Sequence, residues 1–185
     1  MNFDDPDQLM LQGTLILADP SMKDPNFARA VIFLTAHSPA EGAHGFILNR
    51  PLGSCVADFL QSEEFSPLAE VPVFLGGPVE TGELTFGASW WDKSREEVRF
   101  VSHLSKEGAI EAVEQGHSVK AFVGYAGWAG GQLEAELRQR GWITSKMSRN
   151  LIEKPQTEEL WRCLLRAMGP WHQLLADVPN DLSLN

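Results

Sequence analysis

Apolar residues arrive first in this chain as short unbroken runs and only later as spaced stripes. Thr14-Leu-Ile-Leu-Ala18, Ala30-Val-Ile-Phe-Leu-Thr35 and His44-Gly-Phe-Ile-Leu-Asn49 are such runs. Their length, and the Gly, Pro and Asp residues that bound them, predict three buried strands. Between the first two, Asp19-Pro-Ser-Met-Lys-Asp-Pro25 holds two Asp-Pro steps. The residue before a proline is pushed away from helix, so this segment reads as a loop. Ser38-Pro-Ala-Glu-Gly-Ala43 suits a hairpin-like link, which favours local antiparallel pairing. Val71-Pro-Val-Phe-Leu75, Leu84-Thr-Phe86, Val98-Arg-Phe-Val101 and Val119-Lys-Ala-Phe-Val-Gly-Tyr125 predict further strands.

Helical spacing takes over later. Ser105 opens a helix through Ala109, Ile110 and Val113, with Gly116 as its stop. Gln132 to Arg140 pairs Leu133 with Leu137 on one side. The clearest stripe is Leu160, Trp161, Leu164, Leu165 and Met168, with Thr157 as cap and Glu158 and Glu159 in the positive first turn. Gly169-Pro170 ends it. Ser54 is expected to cap a short helix presenting Val56, Phe59 and Leu60. Strands mainly first and helices mainly later give an α+β class. The 185 residues favour one domain, with 1–9 a flexible lead-in and 10–185 a single folded unit.

Charge narrows the partners. Fifteen basic against 25 acidic residues leave a net charge of −10, which repels nucleic acid and anionic membrane at long range. No Lys/Arg run offsets it, so direct nucleic-acid binding is disfavoured. No apolar stretch reaches the roughly 20 residues of a membrane helix. The acidic, polar start lacks the features of a secretion signal. Cys55 and Cys163 read as two reduced thiols rather than a framework. Together these place the protein in the cytoplasm.

The densest chemistry lies in Gly124-Tyr-Ala-Gly-Trp-Ala-Gly-Gly-Gln-Leu-Glu134, where an apolar strand hands over to a helix. Such a junction is either a structural turn or a place where backbone N–H groups meet a phosphate or carboxylate. It carries neither the G-x-G-x-x-G spacing nor a P-loop lysine. Trp128 either stacks on a ligand or plugs the core. Glu134 and Glu136 lie on different sides of the helix and read first as solvated charges, with Glu134 the better functional candidate. Asn49-Arg50-Pro51 offers a guanidinium fork or a turn with a local ion pair. Gly76-Gly77-Pro78 reads as a tight strand end. His37 and His44 flank one connection, but no acid or cysteine stands at a metal-ligand spacing from them, so no metal site or cofactor is expected.

In order along the chain, Gly13-Thr-Leu-Ile-Leu-Ala18, Asp24-Pro-Asn-Phe27, His37, Gly42-Ala43, Gly45-Phe-Ile-Leu-Asn-Arg-Pro51, Gly76-Gly-Pro-Val79, Gly127-Trp-Ala-Gly-Gly-Gln-Leu-Glu134 and the terminal Leu184-Asn185 resemble the AlgH/YqgE family of small bacterial proteins. The resemblance covers residues 10–185. It implies a compact domain with a mixed, strongly curved, barrel-like sheet flanked by helices. It brings a transcriptional-regulator label but no established reaction or cofactor. The chain departs from that family's pattern at Ala36, where an acid is frequent, at Gly130, where proline is common, and at Thr85-Phe86-Gly87, where a histidine is frequent.

Three functional readings follow. The first is a regulatory or adaptor domain that binds a small anionic ligand or a protein partner. Its site would combine Asn49, Arg50, Gly76, Gly77, Gly127, Trp128, Gly131, Gln132 and Glu134, with no catalytic residue. The second is an enzyme using Glu134 or His37 as acid or base. The third is direct DNA-binding regulation, which the charge opposes.

Overall fold

The computed structural model describes residues 10–147 and 157–177. The expected lead-in over 1–9 and the terminal Leu184-Asn185 lie outside the described residues. Among the described residues, nine strands and four α-helices form the fold. The strands are β1 (Leu15–Ala18), β2 (Val31–Ser38), β3 (Gly42–Ile47), β4 (Pro51–Cys55), β5 (Pro72–Leu75), β6 (Val79–Asp92), β7 (Glu97–Leu104), β8 (Ser118–Trp128) and β9 (Trp142–Ser145). The helices are α1 (Lys106–Glu114), α2 (Gln132–Arg138), α3 (Glu158–Ala167) and α4 (Pro170–Ala176).

The three early strands pair antiparallel in sequence order, as their short links require. β8 organises the rest. Its first half lies between β5, which it pairs in parallel, and β6, while its last residues pair with β3. β9 closes the far side of β1 and β7 the far side of β6. The result is one mixed, curled sheet, a half-barrel with helices packed on it, and the class is α+β.

Period-two alternation explains why the first strands lack polar positions. Leu15 and Leu17 enter one core with Phe33, Phe46 and Phe122, covered by Leu160, Trp161, Leu164 and Leu165 of α3. Ile16 and Ala18 enter the opposite core with Ile32, Leu34 and Ile47, covered by Leu133 of α2. A strand buried on both faces has no solvated side to mark with polar residues. A third core sets Ala109 and Ala112 of α1 against Val73, Phe86 and Ala121. Trp161 is 1% exposed, and its indole N–H donates to the Ala18 carbonyl at 2.8 Å, so the face that α3 buries also fixes its register on β1.

Several expectations need correction. Residues Pro51 to Cys55 are strand β4 and not the start of a helix; the helical turn after them is three residues of 3₁₀, Val56–Asp58, preceded by Cys55 as its cap. Pro51 stands at a strand start, where a missing N–H costs no ladder bond. Thr157 does occupy the cap position of α3, but its side chain makes no capping hydrogen bond. Gly169-Pro170 ends α3 and also begins α4, with proline in the first turn, where its absent donor is harmless. Ser105 behaves as expected, its hydroxyl accepting from the Gly108 amide at 3.1 Å.

Candidate functional site

At the end of β8, Trp128 pairs with Ala43 and tucks its ring between neighbours. Phe27 stacks on it at 6.2 Å and Trp142 meets it edge-on at 5.8 Å. Both indoles donate to one oxygen: Trp128 Nε1 and Trp142 Nε1 lie 3.0 and 2.7 Å from Glu136 Oε2. The other carboxylate oxygen accepts from Gln132 Nε2 at 2.9 Å. Glu136 thus clamps two tryptophans and one amide. These rings floor a cleft of about 420 Å³, bordered by Lys23, Gln132 and Arg140.

The glycine turn itself closes inward. The Ala129 amide donates to Gln132 Oε1 at 3.0 Å, and the Gln132 amide donates to the Ala129 carbonyl at 3.0 Å. Gly131 caps α2 with a left-handed backbone, φ 74°. Gly130 presses on the Ala40 carbonyl, where a Cβ would collide. Two of the turn's amides are therefore spent on holding its shape.

Glu134, one turn earlier on α2 than Arg138, points the other way. Its Oε1 accepts from His37 Nε2 at 2.8 Å, with both side chains almost wholly buried. His37 Nδ1 accepts from the Leu11 amide at 3.2 Å, so the ring carries its proton on Nε2. Glu134 and Glu136 do face different sides, but neither is a solvated charge: one meets a histidine and the other two indoles. His37 borders a cavity of about 320 Å³ together with Gln12, Glu41 and His44. Both its ring nitrogens are already engaged.

A further cavity, about 490 Å³, is lined by Pro25, Ala28, Arg29, Asn49, Arg50, Pro51 and Thr157. The Asn49 side chain braces it, accepting from the Val31 amide at 2.8 Å and donating to the Arg29 carbonyl at 2.9 Å. That brace holds Arg29 in a left-handed backbone, φ 56°. The Arg29 guanidinium lies 5.4 Å from the Trp161 ring. Arg50 Nη2 donates to the Pro25 and Ala28 carbonyls at 3.2 and 3.1 Å, which orients its planar fork.

Asn49 and Arg50 therefore sit together, Gly127, Trp128 and Gln132 sit together, and the two groups border separate cavities. One loop serves both: Pro25 and Ala28 wall the first, and Asp24 and Phe27 the second. Gly76 and Gly77 border neither cavity. They are buried where β5 crosses β8, and a Cβ on Gly77 would run into the Tyr125 backbone. Glu134 is sealed beneath His37. Arg29, Phe27, Glu136 and Trp142 complete the two cavities; from the sequence none of them is a site residue, Phe27 standing only in the family motif and Glu136 only among the solvated charges. Glu136 stands four residues after Gln132, the spacing at which helix side chains meet, and this was the readable signal for it.

Two other groups titrate away from their ordinary values. Burial pushes the Lys120 amine down to about 8; its Nζ lies 3.1 Å from Ser118 Oγ and 5.7 Å from the centre of the Phe74 ring. Burial first, and the neighbouring His103 second, hold the His44 imidazole below its usual value. Among the described residues no three His, Cys, Asp or Glu side chains converge on a metal-sized space, and no helix is long and apolar enough to cross a membrane.

Comparison with known proteins agrees with this architecture. A family model described as AlgH-like matches residues 15–173. A UPF0301 protein of Streptomyces avermitilis is 36% identical, covering 95% of this chain and 95% of its own. One from Parabacteroides distasonis is 31% identical over 97% of this chain and 93% of its own. The crystal structure of a Corynebacterium diphtheriae protein superposes with a TM-score of 0.71 at 23% identity, covering 96% of this chain and 95% of that one, a likeness of fold alone. The solution structure of the AlgH protein from Pseudomonas aeruginosa gives a TM-score of 0.64 at 27% identity, over 97% of this chain and 99% of that one. With the curled sheet and the ordered glycine motifs accounted for, the chain belongs to the AlgH-like, UPF0301 family.

Proposed function

We propose that this protein is a cytoplasmic regulatory or adaptor domain that binds a small anionic ligand in the cavity bordered by Arg29, Asn49 and Arg50. The supporting observation is the lining of that cavity: two guanidinium groups stand side by side, one of them oriented by two backbone carbonyls. A planar guanidinium matches a carboxylate or phosphate in two parallel hydrogen bonds, and a concave site of this size suits a small molecule. The loop 24–28 then carries the state of the cavity to Phe27 and the tryptophan cleft, where a protein partner would read it.

Acid–base catalysis by His37 or Glu134 has less behind it, because both imidazole nitrogens are occupied and Glu134 is sealed. Direct DNA binding runs against the net charge of −10.

Titration with inorganic phosphate and with succinate, followed by amide NMR, tests the proposal. Saturable shifts at Arg29 and Arg50, weakened tenfold or more in Arg50→Met, are expected. No saturable shift with either anion, or equal affinity in Arg50→Met, would overturn it.

A further inference from the structure

His44 and His103 meet across the curled sheet, from β3 and β7, with ring centres 5.4 Å apart. The Tyr125 ring stacks on His44 at 4.3 Å. Neither contact follows from sequence spacing; the sheet's curl brings the three rings together. We propose that His44 and His103 form a binding site for a divalent transition-metal ion of the imidazole-preferring kind, zinc or copper, with water completing the coordination.

The hydrogen bonds on each ring point to this. The Thr35 hydroxyl donates to the His44 carbonyl at 3.2 Å, so its oxygen is left to accept from His44 Nδ1 at 2.9 Å. His44 then holds its proton on Nδ1 and presents a lone pair at Nε2. On His103, Nδ1 lies 3.1 Å from the Ser102 hydroxyl, which can accept its proton in the same way. Among the described residues no hydrogen bond engages Nε2 of either ring. Imidazole ligands of metals characteristically give their second nitrogen to an oxygen partner in this way.

Distance agrees. At a metal–nitrogen length of about 2.0–2.1 Å, two imidazoles on one tetrahedral ion place their centres roughly 5 Å apart. His103 supplies a backbone argument. It is held at φ 56°, a conformation unusual for a residue with a side chain, and the site is the place where that cost has a use. His103 is exposed, which gives an ion and its waters a way in.

Imidazole suits zinc, copper and nickel better than magnesium or calcium, so the choice of ion follows from the ligands. Spacing along the chain conceals the pair, because the two ligands come from strands far apart in sequence.

Calorimetric titration of the chelator-treated full chain with zinc and with copper tests the site. One ion per chain is expected, with the imidazole NMR signals of His44 and His103 both shifting. His103→Asn is the informative variant: His103 is exposed, and asparagine tolerates its left-handed backbone, so folding is preserved. It should weaken binding at least tenfold, while His172→Ala leaves binding unchanged. Failure to bind either ion at 100 µM or so, affinity unchanged in His103→Asn, or equal loss in His172→Ala, would each overturn the site.

Discussion

His37 Nε2 lies 2.8 Å from Glu134 Oε1, and the two side chains are only 1% and 3% exposed. With the Leu11 amide on its other nitrogen, His37 joins three separate pieces of chain: the segment before β1, strand β2 and helix α2. A buried polar group is costly unless it is paired, so the pairing rather than the charge makes these residues matter.

Removing one partner should therefore cost more than replacing it. His37→Ala leaves a buried carboxyl group and a buried amide without partners, and about 3–5 kcal/mol of stability should be lost. Glu134→Gln keeps an oxygen that accepts from Nε2 and should cost only about 1 kcal/mol. Urea unfolding of both variants measures the contrast. Equal losses in the two would remove the hydrogen bond as the cause.

Glu136 should control the tryptophan cleft. Its Oε2 receives both indole N–H groups, and no other acceptor for them is apparent among the described residues. Glu136→Ala should destabilise by about 2–3 kcal/mol, since two partly buried donors lose their partner. Tryptophan emission should shift to the red as the rings loosen. Glu134→Gln, on the opposite side of α2, should leave the emission maximum in place, and a shared red shift would mean that the two acids are not independent.

The strands of both early cores could be read from the chain because burial on both faces leaves long apolar runs. Residues Leu15 to Ala18 and Val31 to Leu34 are buried at every position. β4 and β9 could not: Pro51-Leu-Gly-Ser-Cys55 is largely exposed and Trp142-Ile-Thr-Ser145 is short, so neither carries a strong period. The glycine motifs were recognisable, yet their purpose depends on contacts between distant segments. Gly77 yields to the Tyr125 backbone and Gly130 to the Ala40 carbonyl, and nothing local reveals either neighbour. The site divides in the same way. Arg50 was legible as a fork, whereas Arg29 becomes its companion only because Asn49 bends the chain there.

His44 makes stability fall on the acidic side of neutrality. Its folded value lies below the unfolded 6.5, first through burial and then through His103. As pH drops through about 6.5, the unfolded chain takes up a proton that the native ring refuses. The contribution is fully present above that value and is progressively lost below it, down to the folded value. In His103→Asn the repulsion disappears, so the His44 titration followed by NMR should move up toward the ordinary value. An unmoved titration would mean that burial alone sets it.

Lys120 acts in the alkaline range, with the same chemistry and the same sign. Its native value of about 8 lies under the unfolded value of about 10.4, and desolvation is the cause. Between these two values the unfolded chain holds a proton that the native amine has released, so stability should rise with pH across that window. Below about 8 both states are protonated and the buried ammonium imposes its whole cost, on the order of 3 kcal/mol. The Ser118 hydroxyl and the Phe74 face offset part of the desolvation but supply no countercharge. Lys120→Met keeps the apolar stem and removes the charge. It should stabilise the protein by about 1–3 kcal/mol at pH 7, and the gain should shrink as pH climbs past 8. Chemical denaturation at pH 7 and pH 9.5 decides this: a loss of stability at pH 7, or a gain that does not change with pH, would mean that the ammonium is better solvated in the native fold than its burial implies.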